Sequence, residues 1–100
     1  MELHQGDILK VEHIKHPVLV VSKDFFNTSG AVMGCPIFGQ SSRGPLHIYV
    51  ETRDGIDGYV QCEKLAFLDL KVRGHKKISE LELYDKMNIA DAVQGIFEYM

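Results

Sequence analysis

His16 heads the apolar run Pro17-Val18-Leu19-Val20-Val21. Histidine gains and loses a proton near neutral pH, so His16 could serve as a general acid or base, or donate to a phosphate when protonated. The stretch Gly39-Gln40-Ser41-Ser42-Arg43-Gly44-Pro45 places two hydroxyls and a guanidinium in one polar loop, the kind of segment that carries binding residues. Lys71, Arg73, Lys76 and Lys77 put four positive charges in seven residues with no acid among them, and His75 lies inside the run. Such a run suits contacts to nucleic-acid phosphates, which are strongly salt-dependent. Cys35 and Cys62 lie 27 positions apart with no CxxC and no Cys/His ligand spacing, so they read as reduced core cysteines. His4, His13 and His47 also lack neighbours at ligand spacing, and neither a metal nor a cofactor is expected.

These residues must be positioned by short elements. Alternating and β-branched runs recur between clusters of Gly, Asn, Ser and Pro, which predicts an all-β core of five or six strands. The first is expected over Asp7 to His13. The second, Pro17 to Ser22, is apolar throughout and so central or buried on both faces. Lys23 to Gly30 is rich in turn residues, with Phe25 and Phe26 on one helical turn that packs against the core. Further strands are expected at Ala31 to Ile37, Leu46 to Glu51 and Tyr59 to Cys62, with a sixth at Lys77 to Leu81. From Glu82 the period changes to that of a helix, with Leu83, Met87, Ala90, Val93, Ile96 and Phe97 on one face. Ser79 and Glu82 have capping-box spacing, and a helix starting there would remove the sixth strand. Gly95, inside the helix, implies close packing against a strand.

The chain has 100 residues, 45% hydrophobic and 25% charged, proportions that suit one soluble domain over residues 1–100. Its longest apolar run ends at Val21, far short of the roughly 20 residues of a membrane span, and the first residues lack a signal-peptide pattern. A cytoplasmic protein without membrane contact is expected. The formal net charge of -3 argues against nonspecific coating of nucleic acid, yet outside the basic run the balance is 7 basic against 14 acidic residues.

Gln5-Gly6-Asp7-Ile8, His16-Pro17-Val18-Leu19-Val20-Val21-Ser22, Phe26-Asn27, Cys35-Pro36-Ile37 and Leu65 to Lys77 follow one another in the order of the MazF/PemK family of bacterial toxins, which the sequence resembles. The segment Leu68-Asp69-Leu70-Lys71-Val72-Arg73-Gly74-His75-Lys76-Lys77 is similar to the PemK/Kid branch in particular. The resemblance implies a mainly β fold, a small SH3-like barrel of CcdB/MazF/PemK type with short helices, a C-terminal α-helix and dimerisation. It also implies an mRNA interferase: a hydrolase that cleaves single-stranded RNA sequence-selectively without metal, through attack of a ribose 2′-hydroxyl on the adjacent phosphate.

Against that family the sequence departs at informative positions. The family's Arg opening the second strand is His16, its Thr ending the third is Phe38, and Gln61 stands where the PemK branch often carries Arg. Ala66-Phe67 replace a polar pair, and the long loop between the first two strands shrinks to about Glu12 to Lys15. The candidate catalytic residues are then His16; Glu63, which aligns with the acidic position of the PemK branch; Arg43, which could replace the lost guanidinium; and Ser41, which could supply the lost hydroxyl. RNA binding is expected from Phe38, able to stack on an unpaired base, from Gln40 and Ser42, and from Lys71, Arg73, Lys76 and Lys77. The reading is a toxin-like endoribonuclease, a homodimer restrained by a small antitoxin. A second reading is a catalytically degenerate member that binds RNA or a protein. A CcdB-like gyrase poison is disfavoured, because the C-terminus lacks Trp-Gly-Ile.

Overall fold

The computed structural model describes residues 2–39, 44 and 46–97. Seven strands and two helices follow in chain order: β1 (Asp7–Val11), β2 (Val18–Val20), α1 (Asp24–Asn27), β3 (Ala31–Phe38), β4 (His47–Val50), β5 (Gly58–Gln61), β6 (Ala66–Asp69), β7 (His75–Glu80) and α2 (Leu83–Ile96). The sheet is antiparallel, with order β4-β5-β3-β2-β1-β7, and β6 joins it on β3. The radius of gyration is 12.6 Å.

Strand β3 organises the molecule. One edge receives β2; the other receives β6 along Ala31 to Gly34 and β5 at Ile37 and Phe38. The turn between β5 and β6 bulges out of this shared edge, closed by the Lys64 N–H donating to the Gln61 carbonyl at 3.0 Å, and carries Glu63. Gly58 lets β5 lie close to β3, since a Cβ there would fall 2.6 Å from the Phe38 carbonyl oxygen.

Both faces of the sheet's centre are covered. Ile8, Leu19, Cys35, Ile37, Val60 and Ile89 fill one core, while Leu9, Val18, Val20, Val32 and Leu68 fill a second on the opposite face. Successive residues of a strand point to opposite faces, so a strand buried on both sides reads as continuously apolar. That is why Val18–Val20 carries no polar residue, and β2 is central as expected.

Four expectations change. Ala66–Asp69 is an added strand whose sequence gives no polar–apolar alternation, because its exposed face carries Phe67 while Leu68 is buried on the other. Phe25 and Phe26 do not pack inward; Asn27 is the buried residue of α1, donating to the carbonyls of Leu3 and Ser22 at 3.1 Å each. The sixth expected strand exists, one place later in order, because Ser79 is spent in it: it pairs with Ile8 and donates to Asp54 at 2.8 Å, and the helix waits until Leu83. Finally, the inward face of α2 is rotated from the expected one and shares Val93 and Ile96 with it. Ile89 is buried, with Ala92, Val93 and Ile96 beside it at i, i+3, i+4 and i+7, whereas Leu83, Met87 and Phe97 are exposed. Leu81, buried just before the helix and donating to the Gly6 carbonyl at 2.9 Å, fixes that rotation. Gly95 consequently packs against no strand; among the described residues a Cβ there has no neighbour within 4 Å.

Candidate functional site

His16 lies just before β2, whose register pairs Val18 with Pro36 and Leu19 with Cys35. Continued by two residues, the same register sets His16 opposite Phe38, and the Ile37 N–H donates to the Pro17 carbonyl at 2.9 Å between them. The two rings meet at a centroid distance of 4.0 Å, tilted by 56°. The Lys64 ammonium stands over the same Phe38 ring, 5.2 Å from its centroid, a cation–π contact. Phe38 is thus the common neighbour of His16 and of the Glu63-Lys64 turn.

Glu63 has a partner that its sequence position did not reveal. Its Oε2 lies 2.6 Å from His47 Nε2. His47 enters from β4, whose pairing sets it opposite Gln61. The hydrogen bond from His47, then the backbone and the nearby Lys64 charge, hold the Glu63 carboxyl below the usual carboxylate range. Exposure divides the roles: the His47 side chain is only 11% exposed and Glu63 is 41% exposed, so the carboxylate is the member of the pair that can meet a ligand. Gly44 of the polar loop approaches the same place, since a Cβ there would lie 3.4 Å from His47 Cε1. Gln40, Ser41, Ser42 and Arg43 lie outside the described residues.

The basic run is dispersed. Lys71 reaches the Ser29 carbonyl at 3.3 Å and Asp69 at 3.8 Å, at the start of β3, whereas Phe38 ends that eight-residue strand, roughly 24 Å away along it. Lys77 is held by Glu80 at 2.9 Å and Asp7 at 3.2 Å, which raises its pKa. Arg73 and Lys76 have no ion-pair partner among the described residues, and β7 is separated from β3 by β1 and β2. His75 bonds the Arg73 carbonyl through Nδ1 at 3.1 Å, while its Nε2 is buried without a partner.

Both cysteines are free and buried. Burial pushes the Cys35 thiol up to about 12 and that of Cys62 up to about 11, so neither is a nucleophile near neutral pH.

Sequence reasoning missed His47 and Lys64. Lys64 had no signal beyond its charge. For His47 the only available signal was the register of β4 on β5, which the sequence does not specify.

The sequence matches the family described as PemK-like, MazF-like toxin of type II toxin-antitoxin system over residues 5–97. No curated protein matches the chain. Among solved structures it is similar to a MazE-MazF crystal structure from Deinococcus radiodurans, with a TM-score of 0.86 at 16% identity over 100% of this chain and 99% of that one. It is also similar to an endoribonuclease from Mycobacterial species, TM-score 0.78 at 18% identity over 95% and 90% of the two chains. A third similarity is to a Mycobacterial endoribonuclease in complex with its cognate antitoxin, TM-score 0.73 at 18% identity over 100% of both chains. These likenesses show the fold, and the match over residues 5–97 shows more: the chain belongs to the PemK-like, MazF-like toxins of type II toxin-antitoxin systems.

Proposed function

We propose that the protein, a single domain over residues 1–100, acts in the cytoplasm as a homodimeric endoribonuclease that cleaves single-stranded RNA at selected sequences without a metal, and that a small antitoxin neutralises it. The observation that carries this reading is the convergence on Phe38 of His16 and the turn bearing Glu63 and Lys64. The similar structures of a MazE-MazF complex and of a Mycobacterial endoribonuclease with its cognate antitoxin support the partner.

The chemistry needs a base, an acid and donors for the phosphorane charge. Glu63 takes the proton of the 2′-hydroxyl as its oxygen bonds to the adjacent phosphorus. The bond from phosphorus to the 5′-oxygen breaks, and protonated His16 returns a proton to that oxygen, leaving a 2′,3′-cyclic phosphate and a 5′-hydroxyl. Lys64 supplies positive charge beside the reacting phosphate, which the family's arginine would otherwise provide. A carboxylate held below its usual range is ionised at neutral pH but a weak base, so the proton transfer contributes modestly.

The test is incubation of the purified protein with a long unstructured RNA in EDTA, with the new ends mapped by primer extension. Cuts at a short recurring sequence, lost in His16→Ala and Glu63→Ala, are expected. Intact RNA would overturn the enzyme reading and leave a binding module.

A further inference from the structure

Cys35 and Cys62 meet at the seam where β3 changes partners. On its edge away from β2, β3 pairs with β6 as far as Gly34 and with β5 from Ile37 onward, so Cys35 and Pro36 lie between the two ladders. Continuing the β3–β5 register by two residues from Ile37 and Val60 sets Cys35 opposite Cys62. Both residues are fully buried, in the core that holds Ile37 and Val60. The Cys35 S–H donates to the Cys62 carbonyl at 3.7 Å, which brings the thiol against its partner's backbone.

The amides show which kind of cross-strand pair this is. The Met33 carbonyl accepts from the Val21 N–H and the Ile37 N–H donates to the Pro17 carbonyl, so Cys35, between them, also turns its amide toward β2. The Cys62 N–H donates to the Leu46 carbonyl at 3.0 Å, away from β3. Neither amide bonds across the seam, which makes Cys35 and Cys62 a non-hydrogen-bonded pair, the kind with Cα atoms about 4.5 Å apart and side chains closest. Disulfides span Cα separations of roughly 4.4–6.8 Å. The seam is also a weak point of the ladder, because Pro36, which the same register sets opposite Gln61, has no N–H to give β5.

We propose that Cys35 and Cys62 are a reversible redox latch: a peroxide converts them into a cross-strand disulfide that fastens the Glu63-Lys64 turn to β3, and a thiol reductant releases it. The buried thiols do not react in the closed core, so oxidation proceeds when the seam opens locally and admits the oxidant. One sulfur bonds to a peroxide oxygen, the O–O bond breaks, and the departing hydroxide leaves as water with that thiol's proton. The second sulfur then bonds to the first, the S–O bond of the sulfenic acid breaks, and its hydroxyl leaves as a second water with the second proton. The two sulfurs give up two electrons, and the peroxide takes them. A reductant thiol restores both thiols by exchange through a mixed disulfide. The latch is independent of the RNA reading, since it holds the turn whatever the turn serves.

The experiment treats the native full-length chain with hydrogen peroxide, removes the excess with catalase, and reads the product before and after dithiothreitol. Intact mass is expected to rise by two hydrogen atoms on reduction, and peptide mapping without reductant should find the Cys35 and Cys62 peptides joined within one chain. The urea midpoint is expected to be roughly 1–2 M higher in the oxidised protein, the size of effect that closing such a loop has, and to fall back after dithiothreitol. Cys35→Ser and Cys62→Ser, each shown by its own melt to be folded, should give neither the joined peptides nor the reversible shift. If the serine variants do not fold, the reversible shift in the unmodified chain decides alone. Native protein that keeps both thiols, that joins cysteines only between chains, or that oxidises each cysteine separately would overturn the latch. A joined pair whose formation leaves the midpoint unchanged or lowers it would overturn it as well, because such a bond does not fit the folded seam.

Discussion

His47 and Glu63 form a hydrogen-bonded pair in which the largely covered imidazole lowers the pKa of the more exposed carboxyl. Glu63's pKa is lowered in the folded protein. The stability this contributes is present above its unfolded value and is lost as pH falls through the folded one. Replacing His47 by Gln removes the largest cause of that lowering and lets the carboxyl rise toward its ordinary range. Where Glu63 works as an ionised base, the acidic limb of kcat/KM against pH is expected to move upward in His47→Gln, with the plateau largely kept. A limb that stays in place would show that His47 does not tune Glu63. Cys35 and Cys62 lead to a separate expectation. Buried thiols pushed up to about 12 and about 11 hold almost no thiolate near pH 8. The native protein should resist iodoacetamide under conditions in which the urea-unfolded chain is alkylated at both positions, as read by intact mass.

Among the elements, α2 shows how one helical sequence can offer two faces. The expected stripe, Leu83, Met87, Ala90, Val93, Ile96 and Phe97, and the buried one, Ile89, Ala92, Val93 and Ile96, both have helical spacing and share Val93 and Ile96, and the covalent tether at Leu81 decides between them. Substitutions should therefore divide sharply. Ile89→Ala is expected to cost about 2–4 kcal/mol, a transfer loss plus a cavity, while Phe97→Ala, at an exposed position, should stay within about 0.5 kcal/mol. Gly95→Ala should stabilise by about 0.5 kcal/mol, because the added methyl meets nothing and the unfolded chain loses freedom. Urea melts of the three variants check this; a destabilised Gly95→Ala would mean that the C-terminal turn of α2 packs more closely than described. The α1 turn reverses its expectation for a related reason. With Asn27 bonded to Ser22 and Leu3, and with Asp24 accepting from the His4 ring and the Gln5 N–H at 2.8 Å each, polar contacts hold it in place and its two phenylalanines turn outward.

At the scale of the whole molecule, the unused α2 stripe leaves Leu83, Tyr84 and Met87 side by side on the surface, apolar area that monomers seldom leave bare. A homodimer that covers it would show twice the chain mass by light scattering, and Met87→Glu should return the monomer without unfolding it. A charge in the middle of an apolar contact is costly, whereas on an open surface it is not. The antiparallel strand series, the apolar β2, the terminal helix and the family itself could be read from the sequence, because pleat and helix periods are local and the motifs fall in chain order. The candidate site was legible only in part. His16, Phe38 and Glu63 stood out by type and position, but His47 and Lys64 did not, since each depends on how β4, β5 and β3 pair, with partners that lie 8 to 23 positions apart. Periodicity fixes which residues share a face of their own strand. Which residue of another strand lies opposite is decided by long-range pairing and core packing, and that register brings His47 to Glu63.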